Sequence, residues 1–175
     1  ADGRYTIRSV YFDNYRDKAL REKIDGVQHR EKFRIRYYND DLSFITLEKK
    51  LKHNDLCMKE DAPLTAGDYC RLLQAPGSWM LEHPQPLVRE LYCKMKTQQL
   101  RPRVLVSYVR EPYVYAAGNV RVTFDFNIRT SLFTRDFSGG TVPDISAADA
   151  PGDIILEVKY DAFLPEIIRA LLQTG

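Results

Sequence analysis

Alternation of apolar and polar positions with period two organises most of this chain. Residues 119–129 (NVRVTFDFNIR) set Val120, Val122, Phe124, Phe126 and Ile128 against Arg121, Thr123, Asp125, Asn127 and Arg129, the pattern of a strand with one apolar and one polar face. His29 to Tyr38 places Arg30, Lys32, Arg34 and Arg36 opposite Phe33, Ile35 and Tyr37. Residues 43–52 answer with Thr46, Glu48, Lys50 and Lys52 on one face and Ile45, Leu47 and Leu51 on the other. The Asn39-Asp40-Asp41 stretch between them reads as a hairpin turn. Further strands are predicted over 4–12, stopping at Asp13-Asn14, over 104–108 leading to Arg110, and over 154–160, where Glu157 and Lys159 share a face.

The helical period occupies the middle and the end. Residues 15–25 suit a short helical turn ending at Gly26. Thr65 and Asp68 have capping-box spacing at the head of a helix that stops near Ala75-Pro76-Gly77, with Asp in place of the usual Glu or Gln. A second helix is predicted from Pro86 to about Leu100. Its stripe of Leu87, Leu91, Tyr92 and Met95 reads as core packing. A last one runs over 163–172, and the Gly-, Ala-, Pro- and Asp-rich residues 138–152 read as a long loop. No repeat or low-complexity tract is visible.

Composition narrows the function classes. At 175 residues, 44% hydrophobic and 29% charged, the chain suits a single globular domain. A net charge of only +2 does not announce a nucleic-acid binder, so any cationic site must come from local arrangement. Three scattered cysteines, Cys57, Cys70 and Cys93, form no C-x-x-C pair, which argues for a reducing, cytoplasmic compartment. No apolar run has the ~20 residues of a membrane span. The chain opens without Met, as an internal piece of something longer would. Nothing sets an oligomeric state.

The polar faces collect into one set: Arg30, Lys32, Arg34 and Arg36; Glu48 and Lys50; Arg110; Arg121, Asp125 and Arg129; Glu157 and Lys159. Period-two patterning alone leaves two readings open, a face turned to water and a face turned into a barrel. Repeated Arg at same-side positions supplies planar forks that match phosphate oxygens. E-x-K occurs twice at strand spacing, as Glu48/Lys50 and Glu157/Lys159, and a carboxylate beside cations suits a divalent ion and a polyanion held together. Neither nucleotide-loop glycine motif is present. His29, His53 and His83 lack metal-ligand spacing, and His29 reads as a surface residue. No Ser or Cys sits in a nucleophile-elbow context. Trp79 reads as loop packing rather than a stacking platform.

The segments IRSVYFDN, REKFRIRYY, ITLEKK, VSYVREPY, VRVTFDFNIR and IILEVKYDAFLP occur in that order. In that order they resemble the vacuolar transporter chaperone (VTC) domain, the polyphosphate-polymerase branch of the triphosphate tunnel metalloenzymes, which include CYTH-type triphosphatases. The resemblance covers nearly the whole chain. It implies an α+β fold in which an antiparallel barrel of about eight strands forms a polar tunnel with helices packed outside. It further implies that the tunnel binds ATP, tripolyphosphate or inorganic polyphosphate with Mn²⁺ or Mg²⁺, and passes the γ-phosphate of ATP to a polyphosphate chain. Hydrolysis by water, or binding without turnover, are the alternatives, and RNA-end processing finds no aromatic platform in the sequence.

By the same resemblance, Arg34, Arg36, Lys50 and Arg110 grip phosphate, joined by Lys59 of CMKE and by Lys159. Glu157 carries the metal, and Arg121 and Asp125 sit on a charged tunnel strand. Arg34, Arg36, Lys50, Arg110 and Glu157 are thereby the expected catalytic set. Relative to the family pattern, the chain is expected to lack a first basic strand and a last lysine-containing segment.

Overall fold

The structure is a computed structural model that describes residues 3–54, 56–132, 145–146 and 152–173. Eight strands form one antiparallel sheet: β1 (Tyr5–Asp13), β2 (His29–Tyr38), β3 (Asp41–His53), β4 (Leu56–Leu64), β5 (Arg101–Tyr115), β6 (Val120–Leu132), β7 (Ile145–Ser146) and β8 (Ile155–Lys159). Their order is β4-β3-β2-β1-β5-β6-β7, with β8 also paired to β6. Strand β4 is therefore one edge and β7 and β8 share the other, and among the described residues the sheet is a half-barrel rather than a closed one. Among the described residues four α-helices accompany it: α1 (Lys18–Ile24), α2 (Ala66–Gln74), α3 (Pro86–Thr97) and α4 (Glu166–Leu172).

Local chemistry accounts for most of these elements. Asn39 and Asp40 both adopt left-handed φ, 50° and 57°, as the two central residues of a right-twisting hairpin turn require. Thr65 caps α2 through its hydroxyl to the Asp68 N–H at 3.0 Å, and Asp68 returns the bond to the Thr65 N–H, so aspartate completes the box. The buried carboxylate of Asp13 accepts from the N–H groups of Asn14, Ala19 and Leu20, fixing where α1 leaves β1.

The two faces of the sheet have opposite character. One face of β1–β4 meets α2, α3 and the turn Ser78–Glu82 in a core that includes Val10, Phe33, Ile35, Ile45, Leu47, Leu72, Met80, Val88 and Leu91. The α3 stripe is split as packing demands, Leu87, Val88 and Leu91 buried and Tyr92 and Met95 against the core edge. Trp79 joins that edge, its indole N–H donating to the Ala75 carbonyl and the Arg71 guanidinium stacked 4.0 Å from its ring. His29 is exposed, as expected of a surface residue, and its Nε2 lies 3.3 Å from that of His53 across the hairpin.

Three features depart from the sequence pattern. Strand β4 was not foreseen, because LCMKEDAPL is charged, contains a proline and is exposed at seven of nine positions, the mark of an edge strand. Strand β5 continues to Tyr115, well past 108. The alternation of β6 breaks at Asn127, whose φ is +58°. The β5–β6 register shifts there, putting Arg129 opposite Ser107 and Asp125 opposite Arg110. One extra residue thus turns Arg129 to the face opposite Asp125, and it leaves the polar set proposed from period two. Of the expected loop 138–152, β7 and residue 152 are described and the rest lies outside the described residues.

The β5–β6 turn also positions β8. At Gly118, φ is +74° and an added Cβ would lie 2.6 Å from the carbonyl oxygen of Phe163, so the chain following β8 packs against bare backbone. The Gly118 carbonyl accepts from the Asp161 N–H at 3.2 Å.

Candidate functional site

The face turned away from α2 and α3 gathers the charged positions. Register places Tyr11, Arg34 and Glu48 in one cross-strand row, and Ser9, Arg36 and Thr46 in the next. Lys32 sits opposite Lys50, and Lys50 opposite Lys59. On the other wing Arg110 faces Asp125, Thr123 faces Glu157, and Arg121 faces Lys159. Even spacing along each strand therefore delivers Arg34, Arg36, Lys50, Lys59, Arg110, Arg121, Asp125, Glu157 and Lys159 to a single surface. Curvature brings the two wings into electrostatic range, since the Lys159 charge on β8 acts on Lys50 of β3.

Carboxylates hold several of these cations rigid. Glu48, buried, takes Arg34 Nε and Nη2 on its Oε2 at 2.6 Å each, while Lys59 Nζ and Arg36 Nη1 approach its Oε1 at 3.3 and 3.9 Å. Burial acts to raise the Glu48 pKa, but the charges of Arg34 and Arg36 outweigh it and the carboxyl is held below its ordinary range. Arg34 also donates to the Tyr11 hydroxyl at 3.0 Å, and Arg36 to Ser9 Oγ at 3.4 Å. Across the groove, Arg110 and Asp125 form a bidentate pair at 2.6 and 2.6 Å. Arg110 Nη2 lies 3.6 Å and Lys159 Nζ 3.2 Å from Glu157.

Other cations lack a counter-charge. Lys32 and Lys50 have no carboxylate partner among the described residues. Burial, then the charges of Arg34, Lys32, Lys159 and Arg36, pushes the Lys50 ammonium below the ordinary lysine value. Lys32 is lowered chiefly by burial as well. A surface evolved only to meet water would not crowd uncompensated cations in this way. An anion entering the groove would remove the mutual repulsion.

The carboxylates test the metal expectation. Among the described residues no group of three His, Cys, Asp or Glu side chains could enclose a cation. The charge of Asp125 is matched by its bidentate pair with Arg110, which leaves Glu157, half-exposed beside Arg110 and Lys159, as the more open carboxylate. One such carboxylate fits Mg²⁺ or Mn²⁺ arriving with phosphate oxygens and its own water, and does not fit an all-protein cage. The buried Thr123 hydroxyl, directly across from Glu157, has no hydrogen-bond partner among the described residues.

Sequence reasoning missed the supporting groups. Tyr11 and Ser9 lie on a strand whose sequence shows only aromatic and β-branched character, and Glu48, which its E-x-K spacing suits to a divalent ion beside a polyanion, instead holds Arg34. A cross-strand pairing of 34 with 48 was implicit in the Asn39-Asp40-Asp41 turn and would have revealed the Arg34–Glu48 contact.

The family model described as the VTC domain matches residues 1–175, the whole chain. No curated protein matches. Among thirteen matching solved chains is a crystal structure of a candidate adenylate cyclase from Bacillus halodurans, 15% identical. Its TM-score is 0.49, and the match covers 75% of this chain and 60% of that one, so this chain spans less than two thirds of its length.

Proposed function

The chain belongs to the VTC domain family, and on that premise we propose that its concave face binds ATP and polyphosphate and transfers the γ-phosphoryl group to the polyphosphate end. In that step the bond between the γ-phosphorus and the β,γ-bridging oxygen breaks. A terminal oxygen of the polyphosphate forms the new bond, and ADP leaves with the bridging oxygen. Arg34, Arg36, Lys50, Lys59, Arg110, Arg121 and Lys159 supply the cations that a triphosphate of about four negative charges needs. Each rigid charge-assisted contact contributes roughly 1.5–3 kcal/mol. Arg34 and Arg36, neighbours on one face ~6–7 Å apart, bracket adjacent phosphates. Glu157 would hold a divalent cation, which when bound neutralises charge on the transferring group.

The observation that carries this reading is the pairing of uncompensated cations at Lys32 and Lys50 with carboxylates already engaged by arginine. It also favours a phosphate acceptor over water. Glu48, depressed by Arg34 and Arg36, is a poor proton acceptor, Asp125 is charge-matched by Arg110, and Glu157 on this reading is committed to the metal. A polyphosphate end is already anionic and needs no base, whereas water must lose a proton.

The test is incubation with ATP and Mn²⁺, with and without a short polyphosphate primer, and resolution of the products on a gel. The expected result is primer-dependent chain growth with ADP, lost at least a hundredfold in Glu157→Ala. Phosphate release without growth would replace the polymerase by a triphosphatase. Tight polyphosphate binding without turnover would leave a sensor.

A further inference from the structure

Beside α1 the groove holds two cavities that share a wall of Ala19, Lys23 and Lys32 and differ in chemistry. The smaller, about 340 Å³, is lined further by Arg30, Lys50, Lys52 and Lys59, with Glu31 the one carboxylate among its described lining residues. The larger, about 530 Å³, presents Tyr11, Leu20, Val104 and Val106, with the carboxylates of Asp13 and Asp17 set beside Lys23, Lys32 and Arg103. The first is almost wholly cationic and suits a polyanion, whereas the second carries both signs of charge over a mainly apolar wall. The second has the make-up of a small-molecule pocket, apolar walls with a few placed polar groups, and its volume lies in the usual range of roughly 300–1,000 Å³.

Its polar groups are orderly. The Asp13 oxygens are engaged by backbone N–H groups of α1 and its approach. Asp17 is held by Arg103 at 2.8 and 3.3 Å. An ionised carboxylate keeps acceptor capacity beyond two bonds, so Asp17 can receive a hydroxyl donor. The cavity also connects directly to the phosphate-binding row. Tyr11 forms part of its wall while its hydroxyl accepts from Arg34, and Lys32 borders both cavities.

We propose that the cavity between α1 and strands β1 and β5 seats the nucleoside of the bound nucleotide, the base against Val104, Val106, Leu20 and Tyr11 and the ribose hydroxyls toward Asp17. The inference rests on the ATP reading above. It adds a direction: the triphosphate runs inward from Lys32 past Arg34 and Arg36, with its γ end furthest from α1. Selectivity for a nucleotide over a bare phosphate chain then resides in α1 and β5, not in the arginines.

Calorimetric titration with ATP and with tripolyphosphate separates the two ideas. Val106→Phe fills the cavity from β5, and Leu20→Asp, on the exposed side of α1, spoils its apolar wall without touching the sheet. The expected result in both variants is ATP affinity reduced about tenfold or more with tripolyphosphate affinity unchanged within about twofold. Equal loss of both ligands, or loss of neither, would overturn the nucleoside site. Failure of the wild-type chain to bind either ligand would instead overturn the phosphate reading beneath it.

Discussion

Lys50 shows at the scale of one residue how the groove is assembled against its own repulsion. Its ammonium is disfavoured by burial and by Arg34, Lys32, Lys159 and Arg36, so the folded chain gives up that proton before the unfolded chain does. Between the lowered folded pKa and the ordinary lysine value near 10.5, stability rises with pH. Below that window the unfavourable charge is fully present, and above it the contribution is relieved. Replacing the ammonium by an apolar side chain of similar length therefore stabilises the empty protein. For Lys50→Met we expect a melting temperature raised by roughly 1–2 °C at neutral pH, small because the side chain is exposed and screened. The rise should vanish near pH 11, and tripolyphosphate should stabilise the variant less than wild type. A lower melting temperature at neutral pH would show that Lys50 is compensated. Glu48 is the counterpart: it lends order to Arg34, Arg36 and Lys59 without neutralising the groove.

At the scale of elements, legibility followed burial. The β2–β3 hairpin was readable because Phe33, Ile35, Ile45 and Leu47 are buried on one face, and the demand for burial enforces strict alternation. The α2 capping box was readable because its bonds are local. Strand β4 was not, since an exposed edge imposes no apolar period, and with it went any sequence basis for the position of Lys59 beyond resemblance. The β6 bulge was invisible for another reason: Asn127 fits an alternating string as well as a left-handed kink, and only pairing with β5 distinguishes them. That kink makes a test. Asn127→Gly should be tolerated within about 0.5 kcal/mol, while Asn127→Val should cost about 1–2 kcal/mol in chemical denaturation, because a β-branched residue resists positive φ. Equal stability of the two variants would contradict the bulge and restore Arg129 to the face of Asp125.

At the scale of the whole molecule, one sheet divides two kinds of chemistry. Its helix-covered face is a packed apolar core, and its other face collects cations from β2, β3, β4, β5, β6 and β8. Which face looked outward could not be read from periodicity, because a solvated face and a tunnel wall share the same alternation. Placement of α2 and α3 on the apolar face decides it. The half-barrel keeps the groove accessible along β4 and β8 among the described residues.

The central claim is that this groove binds phosphate chains through its arginines. Calorimetric titration of tripolyphosphate into the wild-type chain and into Arg34→Ala/Arg36→Ala, with circular dichroism to verify the fold, tests it most directly. Two lost charge-assisted contacts predict affinity lower by at least about a hundredfold, with wild-type binding weakening as salt rises. Affinity in the folded double variant within about threefold of wild type would contradict the account.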